Sequence, residues 1–344
     1  MKLKKAEHLL VLRFSSLGDV AIMVPVLRCF FKKYPDTKIT IATNEACFGV
    51  FYEFKNINVF KVEKKKKHKG ILGLWRLFNE LKNIKPTAIA DLHSVLRTNI
   101  LEIFFRLYFF KYRRIIKGRK EKIKLIQKQN KSFKPLTPTI FRYLEVFRKI
   151  GFELSLENHE FPPKPILPKL INKLFISNTK KWIGIAPFAS FKGKVYPLDL
   201  MQKVIAYLQK ENQIFLFGFG KREMNQFKVW EKAFTNVYSV PKELNLNQEI
   251  CLMAHLDLMI SMDSANGHMA SNMGVKVITL WGLTHPFLGF SPWEQPGNNN
   301  IIIDRKNYPL IPTSVYGNKI PKGYENAFRS ISPKQIIEKV VDLL

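Results

Sequence analysis

Cysteine is scarce in this chain: 3 in 344 residues, at Cys29, Cys47 and Cys251, widely spaced and without a Cys-x-x-Cys pair. That excludes a disulfide scaffold and a cysteine-based zinc site, and points to a reducing cytoplasm. No apolar run approaches the roughly 20 residues that cross a bilayer. The apolar stretch after Lys2, Lys4 and Lys5 is short and cut by Arg13, so no signal peptide is expected. The sequence has no Gly-x-Gly-x-x-Gly, which leaves a dinucleotide-binding loop unsupported. It also lacks Asp-x-Asp and any His/Cys cluster at ligand spacing, so no metal is expected. There is no repeat of solenoid period. Acids are few as well: 27 Asp+Glu against 56 Lys+Arg, a formal net charge of +29.

Apolar residues make up 46% of the chain, ample for packed cores, and the length suits about two α/β domains. The positive excess lies toward the front, where residues 1–165 hold 35 Lys+Arg and 14 Asp+Glu. Within Lys111–Lys134 there are eleven basic residues and one acid, Glu121, and Lys64–Lys67 is a second run. Such a field attracts nucleic acid, anionic lipid or a phosphorylated glycan; a solvated lysine-rich surface is the plainer account. Beside it, Ile100–Phe110 is strongly apolar. It reads first as a buried helix of the first domain and second as a segment touching a membrane interface.

Strand and helix patterns alternate. Strands are predicted at Leu9–Leu12, Lys38–Thr43, Val59–Val62 and Thr87–Asp91, with helices at Ala21–Lys33, Ile71–Lys82 and Thr139–Ile150. The proline-rich stretch Phe161–Leu167 is the best linker. A second series follows, with strands at Trp182–Ala186, Gln213–Phe217, Val237–Ser239, Leu258–Ser261 and Lys276–Leu280. Its helices are expected at Leu198–Lys210, Asn247–Ala254, Gly267–Met273 and Pro333–Leu344. This order implies parallel, doubly wound sheets: two Rossmann-like domains, 1–165 and 166–344, facing across a cleft.

In open α/β sheets, ligands bind beyond the carboxyl ends of the strands. Four such turns carry candidate chemistry. In Arg13-Phe-Ser15-Ser16-Leu-Gly18-Asp19, Gly18 admits a close backbone approach, and Asp19 either stands at the crevice mouth or only caps the next helix. In Asp263-Ser264-Ala265-Asn-Gly267-His268, free backbone N–H groups and a helix dipole favour a phosphate. There Asp263 and Ser264 could equally be caps and His268 a core side chain. The loop from Ala186 to Pro197 carries Ser190, Lys192 and Lys194, which either face the same crevice or are solvated. In Phe217–Glu223, an acid just past a strand end is placed as ribose-binding acids are, although the two glycines alone say little.

Together these pieces resemble one family. Arg13-Phe-Ser-Ser-Leu-Gly-Asp19-Val with Pro25 is similar to the N-terminal signature of glycosyltransferase family 9, the lipopolysaccharide heptosyltransferases. Lys194-Val-Tyr-Pro197 resembles its Lys-x-Trp-Pro, and Asp263-Ser-Ala-Asn-Gly-His268-Met-Ala its Asp-Ser/Thr-Gly-x-x-His-Leu-Ala. Gly282-Leu-Thr-His-Pro286 resembles the Gly-x-Thr-x-Pro one strand later. Ala265 departs from the family glycine and Tyr196 from its tryptophan, and residues 60–135 align with no family motif. The resemblance implies a GT-B fold, with an acceptor-binding domain at 1–165 and a nucleotide-sugar-binding domain at 166–344 whose last helix can pack back on the first. It implies an inverting, metal-independent transfer of heptose from ADP-heptose to the lipid A–Kdo inner core, at the cytoplasmic face of an anionic inner membrane. Asp19 would be the general base, with Arg13, Ser15, Ser16 and Gly18 on the acceptor turn. Ser190, Lys192, Lys194, Glu223, Asp263, Ser264, Ala265, Gly267 and His268 would hold the donor. The competing expectations are a transferase of another nucleotide sugar, a catalytically dead sugar-nucleotide-binding scaffold and a basic nucleic-acid-binding protein. The last should show a recognised module, and none is found, so no nucleic-acid partner is expected.

Overall fold

The computed structural model describes residues 7–171 and 180–344. They form two compact units. The first holds the chain up to Lys117 together with Thr139–Glu160. The second holds Gly118–Pro138 together with Phe161–Leu344.

The first unit is built on five parallel strands: β1 (His8–Leu12), β2 (Lys38–Thr43), β3 (Ile57–Lys61), β4 (Ala88–Asp91) and β5 (Lys111–Arg114), in the order β3-β2-β1-β4-β5. Central strands of a parallel sheet are covered on both faces, hence the continuous apolar run Leu9–Leu12, wholly buried. Leu10, Leu12, Leu77, Leu81, Ile89, Leu101 and Phe105 fill one side of this sheet. The strand β5 escapes the alternation pattern because three of its four residues are Lys or Arg. Only Tyr112 points inward, fully buried, its hydroxyl donating to the Thr98 carbonyl at 3.0 Å. Such charge suits a sheet edge.

The expected single helix Ala21–Lys33 is two, Leu17–Ala21 and Val24–Lys33. Pro25 has no N–H to continue a helix but fits its first turn, so the second helix starts there.

The second unit has six parallel strands: β6 (Lys181–Ala186), β7 (Asn212–Leu216), β8 (Val237–Ser239), β9 (Leu258–Met262), β10 (Lys276–Trp281) and β11 (Asn300–Ile302). Their order is β11-β10-β9-β6-β7-β8. The helix Pro333–Leu343 packs on the helix Leu198–Leu208 and buries Ile336 and Val340 in this unit's core. Its apolar face is therefore used within this unit's own core.

Two expectations need correction. The boundary after residue 165 does not divide the chain cleanly, because Gly118–Pro138 belongs to the second unit. Leu136 N donates to the Phe287 carbonyl at 2.9 Å, Lys131 Nζ donates to the carbonyls of Leu310 and Pro312, and the Arg305 guanidinium lies 3.3 Å from the centre of the Phe133 ring. The run Lys111–Lys134 is accordingly divided between the units: it starts in the first and continues in the second, and Lys131 is partly buried, which with Arg305 nearby pushes its pKa down to about 8. Counted by unit, the first holds 27 Lys+Arg and 13 Asp+Glu and the second 29 and 14, so the net positive charge is nearly equal.

Candidate functional site

Each sheet has one switch point, where the chain moves from one side of the starting strand to the other. Turns diverge there and leave room for a ligand. In the first sheet it lies between β1 and β4, in the second between β9 and β6. Most of the candidate residues lie at these two places; Glu223, after β7, lies outside them.

At the first, β1 runs directly into Arg13, which is buried. Its Nη1 donates to the Leu92 carbonyl beyond β4 at 2.7 Å, and its Nη2 pairs with Asp19 Oδ2. The same Oδ2 accepts from the Ser16 hydroxyl at 2.7 Å and the Ser16 N–H at 3.4 Å. Asp19 thus caps its short helix and is salt-bridged as well: both readings of the residue hold. Its Oδ1 has no protein hydrogen bond among the described residues, and the side chain keeps 27% of its exposure, so one carboxylate oxygen can be reached. Burial pushes the carboxyl up, but Arg13 and the Ser16 hydrogen bonds outweigh it and hold Asp19 below the usual carboxylate range. Gly18 lies within the helix Leu17–Ala21, one residue before this acid.

Several further residues around this turn were given no role at this site from the sequence. His93, beyond β4, accepts from Phe14 N through Nδ1 at 3.4 Å. Burial, then the nearby Arg13 and Lys117 charges, push it down to about 3, so it is neutral. Lys64 donates to the Ser15 hydroxyl at 3.0 Å, and the Tyr143 hydroxyl to the Asp19 carbonyl at 3.1 Å. Tyr143 comes from the helix Thr139–Ile150, far away in sequence, and nothing local could have found it.

At the second switch point, β9 ends into Asp263, which is 6% exposed at its side chain. Asp263 Oδ2 accepts from Lys194 Nζ at 2.9 Å and from the Thr284 hydroxyl at 2.9 Å. Thr284 was legible in the motif from Gly282 to Pro286, although no role was attached to it. Three glycines close around the lysine. A Cβ on Gly317, whose φ is +72°, would stand 2.5 Å from Lys194 Cγ. One on Gly193 would stand 2.4 Å from the Gly317 carbonyl oxygen, and one on Gly282 2.3 Å from that of Gly193.

Ser264 begins the helix Ala265–Asn272 without a side-chain cap on its first N–H groups. Its hydroxyl lies 3.1 Å from that of Ser261. Gly267 lets this helix sit close on β9, where a Cβ would come 3.2 Å from Ser261 Oγ. His268 is buried on the same helix, and Ala265 is half-buried in its first turn.

Ser190 and Lys192 are exposed on the loop after β6. Glu223 stands past β7, its Oε2 accepting from Phe219 N at 3.0 Å and Gly220 N at 3.4 Å, which caps the helix Lys221–Ala233. Tyr196 is buried, its hydroxyl donating to the Ile331 carbonyl at 2.6 Å. It packs the turn; it does not line it. Among the described residues no group of three or more His, Cys, Asp or Glu side chains could hold a metal ion.

A family model described as glycosyltransferase family 9 (heptosyltransferase) matches residues 106–322. The lipopolysaccharide core heptosyltransferase OpsX of Haemophilus influenzae is 26% identical over 309 residues, covering 85% of this chain and 83% of that protein. A glycosyl transferase family 9 structure from Veillonella parvula matches with a TM-score of 0.73 at 20% identity, covering 98% of this chain and 97% of that one. The E. coli heptosyltransferase WaaC with ADP matches with a TM-score of 0.68 at 15% identity, covering 98% and 100%. At such identities the structural likeness carries the fold: two parallel α/β domains of GT-B type.

Proposed function

The chain belongs to glycosyltransferase family 9 and is a glycosyltransferase, and we propose that it transfers heptose from ADP-heptose to the lipid A–Kdo inner core of lipopolysaccharide, with inversion at the anomeric carbon. The observation that carries the reading is the pair of charged constellations, Arg13–Asp19 and Lys194–Asp263, one at the switch point of each sheet. The relative in Haemophilus, named as a lipopolysaccharide core heptosyltransferase, supports the choice of sugar and acceptor.

In this mechanism the first unit takes the acceptor. Arg13 keeps Asp19 ionised at neutral pH and fixes it through Oδ2, leaving Oδ1 to accept the proton of the acceptor hydroxyl. The freed oxygen attacks the anomeric carbon from the face opposite the diphosphate. The carbon–oxygen bond to the diphosphate breaks, and ADP departs with the electron pair. A single displacement inverts the centre, and no sugar–enzyme bond forms. Ser15, Ser16 and Gly18 shape the turn on which this happens.

The second unit takes the donor. Lys194 exchanges part of its hold on Asp263 for the diphosphate, and the uncapped N-terminus at Ser264 and Ala265 offers N–H groups to the same charge. Ser190 and Lys192 flank it from the loop, Glu223 meets the ribose through the oxygen that its cap leaves over, and His268 with Gly267 backs the turn. This positive charge does the electrostatic work often given to a metal, so transfer is expected to persist in the presence of a chelator.

The setting is the cytoplasmic face of the inner membrane, with the protein bound peripherally. Among the described residues no helix is long and apolar enough to cross a membrane. The test is mass spectrometry of products from a panel of nucleotide sugars on defined lipopolysaccharide cores. A heptose added from ADP-heptose is expected. Preferential transfer of another sugar would overturn the donor assignment.

A further inference from the structure

Two helices of the first unit, Gly70–Asn83 and Leu96–Leu107, pack against each other. Their inner residues fill the core, but their outer faces are strongly apolar. Leu72 is 86% exposed and Phe109, at the end of the second helix, 97%. Trp75, Ile103 and Leu107 are exposed between them. Trp75 stands edge-on to Phe104 with ring centres 5.1 Å apart, and Phe78 contacts both Phe104 and Tyr108, so the two helices share one aromatic seam. Large apolar side chains exposed together on two adjoining helices call for a partner.

The charge around this face indicates the partner. The first helix is entered through Lys65, Lys66, Lys67 and Lys69, all exposed, and Arg76 is exposed one residue past Trp75. The neighbouring Lys82 ammonium lies 4.5 Å from the centre of the Tyr108 ring. Apolar and aromatic side chains ringed by cations match a bilayer interface that presents anionic headgroups above acyl chains. The same loop reaches the candidate site, because Lys64 donates to Ser15 on the Asp19 turn. The lysine run therefore begins at the site and ends at the apolar face.

We propose that the face formed by Leu72, Trp75, Ile103, Leu107 and Phe109, with the lysines of residues 65–69, docks this protein on an anionic lipid surface. The proposal deepens the membrane part of the reading above and rests on it for the purpose of docking: delivering the Asp19 turn to a lipid-borne acceptor. It moves the membrane contact from the run Lys111–Lys134 to these two helices.

The experiment is co-sedimentation of the full chain with phosphatidylglycerol–phosphatidylethanolamine vesicles and with pure phosphatidylcholine vesicles. Binding is expected only to the anionic vesicles, weakening as added salt shortens the reach of the charges. A Lys65→Glu, Lys66→Glu, Lys69→Glu variant should lose about fivefold in partition for each lysine removed, or more. A Leu72→Glu, Phe109→Glu variant should lose binding at all salt concentrations. All five positions are exposed, so these variants should fold, which circular dichroism checks. As an independent readout, brominated lipid should quench tryptophan fluorescence in the parent and much less in Trp75→Phe. Equal binding by parent and variants, quenching that survives Trp75→Phe, or dimers that depend on Phe109 without vesicle binding would each overturn the proposal. ADP titration and transfer to a delipidated core are run alongside. If those succeed and vesicle binding fails, only the docking face is lost. If vesicles bind but ADP does not, it is the transferase reading that fails.

Discussion

At the scale of the residue, Asp19 carries two duties on one carboxylate. Oδ2 is spent on Arg13 and Ser16, which fixes the geometry of the turn, and Oδ1 is left for chemistry. Asp19→Asn keeps the size and the cap but removes the base. Turnover is expected to fall by about 10²–10⁴-fold, with ADP affinity unchanged, as measured by single-turnover kinetics and calorimetry. Retention of more than about a tenth of parental turnover would reduce Asp19 to a helix cap. The acid itself was legible because it follows a buried strand after a small polar turn. Arg13 was legible with it, in the same turn, but the other supports were not: His93, Lys64 and Tyr143 come from three other places in the chain, and only folding brings them to this turn.

At the scale of the element, most strands and about half of the helices could be read from apolar runs and periodicity, to within a residue or two at each end. Pattern failed where charge masks it, in Lys111–Arg114 and in the helices Arg119–Ile126 and Lys221–Ala233, where a strand is as short as Asn300–Ile302, and where a proline restarts a helix, at Val24. On the donor side, Lys194 was legible from its motif, but the glycines that crowd it were not, because Gly317 lies far beyond it in sequence. Gly317→Ala tests this element directly. The positive φ disfavours any Cβ, and this one would also displace the Lys194 stem. A stability loss of about 1 kcal/mol is expected in urea titrations, together with a several-fold weaker ADP affinity. Unchanged ADP affinity would show that the lysine does not need its present path to hold the nucleotide.

At the scale of the whole molecule, two histidines, His285 buried and His93 half-buried, couple folding to pH. Burial and nearby cations push His93 down to about 3 and His285 down to about 4, against 6.5 for an ordinary histidine. Below pH 6.5 the unfolded chain takes up protons that the folded one refuses. The contribution is therefore complete above 6.5 and is lost as pH falls toward those values, at up to about 1.4 kcal/mol per pH unit for each group. Asp19, held low, adds to the same loss further down, and Asp91, raised by burial, opposes it. His93→Gln should flatten the fall in urea midpoint between pH 6.5 and about 4; an unchanged slope would mean that His93 is not held neutral in the folded chain.

The return of Gly118–Pro138 to the second unit means that the chain passes between units three times, after Lys117, Pro138 and Glu160. Modular exchange with a relative is constrained by this. A chimera joined at the proline-rich stretch would separate Leu136 from Phe287 and Lys131 from Leu310, leaving carbonyls unmatched on a foreign partner. A graft that keeps its donor side intact must carry the inserted segment with it, as two pieces of one inheritance. During synthesis, too, that segment emerges well before the loops around Phe287 and Leu310 that it is to join, and it must wait for them.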